Sequence, residues 1–270
     1  METQSITVVF LLHGRMGSTK SRYMDTFIAR LLGYSDNEQT SVSNSSKGLV
    51  VVTFDHRNHG TRMLDETSNF GWAEKQNRPN NKHALDMYTL QVGAVRDISF
   101  LIDFLPSYLY PTDERHVVRW GVIGVSLGGH AAWIALKEEP RLSLGIPIIG
   151  CPNYLGLMEA RAIKNGIATG PPIFPESLRK YIVEHDPVSV PYKEESSSNP
   201  FVGKHILVSS GGADELVPWE FSKEFVEGLV VGKEGVKRVF LQDGIGHSTT
   251  PEMMEGAAKF VASWLGEPDI

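Results

Sequence analysis

A single cysteine, Cys151, is all that the 270 residues contain, so no disulfide can close within the chain. No apolar stretch approaches the roughly 20 residues that span a bilayer. There is no block of basic charge either: the net charge is −6, with acids and bases interspersed. Binding to a phosphate backbone needs a basic face, so a nucleic-acid partner is excluded. Repeats and low-complexity tracts are also missing. Met1 to Ser5 lacks the basic start and small-residue cleavage site of a secretory signal, and Glu267-Pro268-Asp269-Ile270 matches no retention or lipidation signal. The expectation is a cytoplasmic protein with no membrane partner that acts on a small molecule, alone or as a homodimer.

What is present is an alternation. Apolar, β-branched runs fall at about 6–12, 49–54, 116–124, 143–149, 204–210 and 236–241. Runs apolar on both faces read as buried parallel strands. Helical spacing lies between them, near 20–32, 87–105, 127–138, 219–230 and 252–265. Such a βα alternation predicts one α/β domain, with a mainly parallel sheet of about six strands and helices on both faces. Pro147 weakens the fourth run, because proline removes a ladder donor.

Two stretches break the rhythm. Residues 61–86 are polar and carry Trp72, Asn77, Pro79 and His83, which suggests a long loop over one end of the sheet. Residues 152–200 are longer than a crossover needs and hold Pro171-Pro172, Pro175, Pro187 and Pro191 among two short helical stretches. The organisation expected is a core of 1–151 and 201–270 with a small helical cap at 152–200.

The chemistry is concentrated at strand ends. Gly124-Val125-Ser126-Leu127-Gly128 is a G-x-S-x-G between a strand and a helix. A serine hydroxyl is a weak nucleophile, and a sharp strand-to-helix turn lifts its Oγ above the sheet edge. Side chains two residues before and after would collide in that bend. The turn also brings the Leu127 N–H, at a helix start, toward a developing oxyanion. Asp214 follows the fifth run and His247 the sixth, at the edge where open α/β sheets gather functional groups. His247 would take the proton of Ser126, and Asp214 would orient and stabilise the imidazolium. Asp214 as a helix cap and His247 as a surface histidine are the plain alternatives, with Glu215 and Asp243 as rival acids. Leu12-His13-Gly14-Arg15-Met16 follows the first run. The Arg15 N–H, or that of Met16, is the candidate second oxyanion donor, while His13 reads as structural.

These motifs resemble the α/β-hydrolase superfamily over nearly the whole chain. The matching residues are His13-Gly14, Phe54 to Gly60, Gly124 to Gly128, Asp214 with Val217-Pro218, and Gly246-His247. The resemblance is to compact esterase-like members, of fungal or microbial kind, that begin at the oxyanion strand. It implies that Asp55-His56-Arg57-Asn58-His59-Gly60 is a structural turn, so His56 and His59 are not metal ligands. No metal and no cofactor is expected.

A complete serine, acid and histidine set serves acyl transfer to water through an acyl-serine. The leading expectation is therefore hydrolysis of a small-molecule ester, thioester or lactone. A lyase, cyclase or condensation enzyme using the same pocket is the alternative, because this fold is widely reused. A binding protein on a hydrolase scaffold is a third, less favoured reading, since a binder need not keep all three groups. Met16, Trp72, Tyr154, Met158 and Phe174 are the candidate pocket residues. The apolar residues of the cap can either line an acyl pocket or pack the cap onto the core. Cys151, without a companion, reads as a buried small residue.

Overall fold

The computed structural model describes residues 4–39, 48–72 and 79–267. Its strands are β1 (Gln4–Leu12), β2 (Gly48–Val52), β3 (Arg115–Val125), β4 (Leu142–Ile148), β5 (His205–Gly211) and β6 (Val236–Gln242). They form a sheet in the order β2-β1-β3-β4-β5-β6, and each neighbouring pair is parallel. Strand β1 explains the doubly apolar runs. Its Val8, Phe10 and Leu12 belong to the core on one face, and Val9 and Leu11 to the core on the other. Successive side chains on a strand alternate faces, so both sets must be apolar when helices cover both sides.

The helices are α1 (Arg22–Gln39), α2 (His83–Leu109), α3 (Leu127–Glu138), α4 (Tyr154–Lys164), α5 (Glu176–His185), α6 (Glu220–Gly228) and α7 (Pro251–Leu265). Helices α1 and α7 pack together on one face. On the other face α2 packs against α3, and Phe225 and Val226 of α6 join that core. Helix α7 starts as its sequence dictates: Thr250 accepts the Met253 N–H at 3.2 Å, and Pro251 occupies the first turn. No helix among the described residues is long and apolar enough to cross a membrane.

Three details depart from the sequence reading. Helix α2 begins at His83, inside the expected loop of 61–86, because His83 and Ala84 are buried against the core. The rest of that stretch starts with two short 3-10 turns, Gly60–Arg62 and Glu66–Asn69, and Asn77 lies outside the described residues. Helix α1 runs on to Gln39, past the expected end near 32. Strand β4 survives Pro147. Its partners on β5 skip from Gly145/Ile206 to Ile148/Ser209, so on that side the missing donor falls where no pairing is made, while Pro147 stays paired with Gly124 of β3.

The strand order places the site. The chain leaves β1 outward to β2, then returns to the other side of β1 as β3, so the connections diverge between the C-terminal ends of β1 and β3. Such a switch point opens a crevice at the carboxyl edge of a parallel sheet. The loop of Gly14 and the turn of Ser126 flank it. Helices α4 and α5 occupy the 152–200 segment between β4 and β5.

Candidate active site

Ser126 sits between β3 and α3 with φ 53° and ψ −108°. That region is unfavourable for a residue with a Cβ and costs on the order of 1–3 kcal/mol. It is fixed by neighbours: the Ser126 N–H donates to Ile148 O at 2.9 Å, and Ser126 O accepts the His130 N–H at 2.9 Å. The flanking glycines are obligatory. A Cβ on Gly124 would lie 2.0 Å from Gly128 O, and one on Gly128 would lie 2.6 Å from Leu12 O.

Ser126 Oγ lies 2.8 Å from His247 Nε2, and His247 Nδ1 lies 2.7 Å from Asp214 Oδ2. The other carboxylate oxygen of Asp214 accepts the N–H groups of Leu216 at 2.9 Å and Val217 at 2.8 Å. Asp214 therefore shapes its own loop and holds the imidazole at once. The loops after β5 and β6 are pinned together, with Gly212 N–H donating to Gln242 O at 2.8 Å and Ala213 N–H to Ile245 O at 2.9 Å. The rival acids stand apart. The Glu215 side chain is 88% exposed and pairs with Lys164 at 3.6 Å, and Asp243 is exposed.

The loop after β1 reaches the same point. A Cβ on Gly14 would be 3.6 Å from Ser126 Cβ. Residues 14–17 form a turn closed by Gly17 N–H to Gly14 O at 3.1 Å, with Met16 at φ 62° and half-exposed. Among the described residues the N–H groups of Met16 and Leu127 have no protein acceptor. His13 is wholly buried and braces this loop. Its Nδ1–H donates to Gly14 O at 2.8 Å, its Nε2 accepts the His56 N–H at 3.1 Å, and His56 Nε2–H donates to His13 O at 2.9 Å. Burial pushes the pKa of both imidazoles down, which keeps them neutral in these roles. The Asp55 carboxylate accepts from Thr19 N at 2.8 Å, Thr61 N at 2.7 Å and Thr61 Oγ1 at 2.8 Å. Burial alone would raise its pKa, but these bonds outweigh it and hold the carboxyl well below the usual range. No group of three or more metal-binding side chains gathers among the described residues.

The pocket candidates divide. Met16 is half-exposed on the loop after β1. Trp72 is buried, edge-on to His83 at 5.2 Å. Tyr154, Met158 and Phe174 are buried in the core, and the Tyr154 hydroxyl donates to Ala84 O at 2.7 Å. None of the five lines the cavity of about 580 Å³ beside Asp214, whose walls include Leu157, Ala160, Arg161, Leu216 and Trp219. Cys151 is buried, with its thiol pushed up to about 12 by that burial, and its N–H donates to His130 Nδ1 at 3.0 Å. The sequence reading missed Arg161. It looked at α4 for apolar residues only, and nothing in the spacing of α4 marks an arginine as facing the site.

No protein-family profile and no curated protein matches the chain. Solved structures do. TT1662 of Thermus thermophilus superposes with a TM-score of 0.63 at 18% identity, over 98% of this chain and 91% of that one. A cold-adapted esterase from an Arctic intertidal metagenomic library gives 0.57 at 16% identity, over 97% and 84%. ATU1826, an Agrobacterium tumefaciens protein of unknown function described as a candidate α/β hydrolase, gives 0.54 at 15% identity, over 99% and 91%. With the parallel sheet and the turn at Ser126, these likenesses identify the architecture: the chain has the α/β-hydrolase fold.

Proposed function

We propose that the protein is a serine hydrolase that cleaves the carboxylic ester, thioester or lactone of a small molecule. The observation that carries this reading is the unbroken hydrogen-bonded chain from Ser126 through His247 to Asp214. In the reaction, Ser126 Oγ attacks the carbonyl carbon as His247 Nε2 takes its proton. Asp214 holds the Nδ1 proton and stabilises the imidazolium. The N–H of Leu127, with that of Arg15 or Met16, receives the oxyanion. His247 then protonates the leaving alcohol, and water, activated by the same imidazole, releases the acid. The 152–200 segment acts as a cap over this edge. Its buried aromatic residues support the packing role for Tyr154 and Phe174, with substrate meeting Met16 and the cavity beside Asp214 instead.

The test joins labelling to turnover. A fluorophosphonate should add once, to Ser126, and the protein should hydrolyse p-nitrophenyl esters with an acyl-enzyme visible by intact mass spectrometry. An unlabelled protein that leaves every ester untouched would remove the hydrolase reading and favour non-covalent lyase chemistry on the same scaffold.

A further inference from the structure

Arg161 stands on α4 facing the cavity beside Asp214. Its Nη2 donates to Leu216 O at 2.6 Å, and Leu216 is the residue whose N–H holds Asp214. Its Nη1 reaches His83 Nε2 at 3.4 Å and Met158 Sδ at 3.5 Å. All three partners are neutral. His83 cannot share a charge, because burial and the neighbouring arginines push its pKa down to about 3. Other arginines of the chain sit on carboxylates: Arg57 on Asp97, Arg141 on Glu139, Arg179 on Glu159. Among the described residues Arg161 has no such ion pair.

The surrounding charges do not fill the gap. Asp214 is committed to His247. Lys164 and Glu215, at the cavity wall, pair with each other, and Glu220 also lines the cavity. Arg15, which follows Gly14 in the loop against Ser126, works the other way. Burial above all, and the Arg15 charge after it, disfavour the charge on Arg161; the Asp214 charge favours it without outweighing them. An arginine cannot give up its proton to relieve this. Leaving a partly desolvated charge on neutral partners is costly unless an anion completes it. The guanidinium has five N–H donors, and the three contacts above leave two for a ligand. Two N–H groups of one planar fork match a carboxylate.

We infer that Arg161 binds a carboxylate carried by the substrate, so the preferred ester is an anion. This deepens the hydrolase reading above and rests on it. The charge can belong to the acyl or to the alcohol part, and two substrate pairs separate these sources. For the acyl side, mono-p-nitrophenyl glutarate is compared with p-nitrophenyl pentanoate. For the alcohol side, 4-butanoyloxybenzoate is compared with its methyl ester.

In one pair the anionic member should have at least a tenfold higher kcat/KM, expressed mainly in KM. Arg161→Gln should erase that ratio, and Arg161→Lys should keep part of it. If Arg161 only tethers α4 to the Leu216 loop, both members of each pair slow equally and the ratio stays. Ratios within threefold of one in both pairs, unchanged by Arg161→Gln, would overturn the inference while ester turnover and Ser126 labelling leave the hydrolase reading intact. Should no ester turn over, calorimetric titration of glutarate and 4-hydroxybenzoate still decides. Binding to the wild type that Arg161→Gln abolishes supports the carboxylate site; equal heats, or none, overturn it.

Discussion

Asp214 and Asp186 are both buried aspartates that accept backbone N–H groups, yet only one has an imidazole beside it. At the sheet edge, Asp214 gives one oxygen to Leu216 and Val217 and the other to His247. In the 152–200 segment, one oxygen of Asp186 accepts Tyr154 N–H at 2.7 Å and Leu155 N–H at 3.4 Å, at the head of α4. Among the described residues its other oxygen meets only the Tyr88 hydroxyl, at 3.5 Å. The first carboxylate shapes a loop and orients an imidazole. The second anchors the positive end of a helix. The same residue type, similarly buried, holds an imidazole or a helix start according to what its second oxygen faces.

The comparison breaks first at the nucleophile. Ser126→Ala should lower turnover by about 10⁶-fold if the three groups act as a unit, with fluorophosphonate labelling lost and the fold retained by circular dichroism. Asp214→Asn should lower kcat by about 10⁴, since the amide favours the wrong imidazole tautomer. Glu215→Gln, on an exposed side chain, should leave kcat within a few-fold. Steady-state kinetics on the three variants rank them, and a larger loss in Glu215→Gln than in Asp214→Asn would place the acid one residue further on.

The insertion should answer in stability instead. Phe174 has no exposed surface, and the Arg179 guanidinium lies over its ring at 5.0 Å. Phe174→Ala should cost about 3–5 kcal/mol in denaturant unfolding. Esters of different chain length should slow in proportion, because a buried ring cannot sort them. A selective change in the short-to-long ester ratio would make Phe174 part of the pocket wall.

How much of this was legible follows from where the constraints act. The strands were readable because burial on both faces forces doubly apolar runs, and the Ser126 turn because steric crowding leaves glycine alone at 124 and 128. The placement of Asp214 and His247 beside Ser126 was readable through chain order and strand ends. The start of α2 was not, since His83 is polar and its burial depends on Trp72 and Arg161, distant in sequence. The brace between His13 and His56 was equally hidden, because it joins loops 43 residues apart. Arg161 and Asp186 lie in the 152–200 segment, whose composition reports only that it interrupts the strand–helix alternation. Their roles come from which side chains the packing leaves opposite them, and no local period carries that information.

Asp186 supplies the sharpest contrast with the sheet edge. Burial pushes its carboxyl up to about 7, although hydrogen bonds from Tyr154 and Leu155 pull the other way. An unfolded aspartate titrates near 4. The folded state therefore binds the proton more tightly, and stability from this group is full below about pH 4 and lost as pH rises through about 7. Each pKa unit is worth about 1.4 kcal/mol, so the change across that window is on the order of 2–4 kcal/mol. Asp186→Asn keeps an oxygen that can accept the Tyr154 N–H and removes the titration. Its unfolding free energy minus that of the wild type should grow from pH 4 to pH 7 and level off above. A difference that stays flat across that range would mean that Asp186 carries its charge in the folded protein at acidic pH, held there by the head of α4 as strongly as burial opposes it.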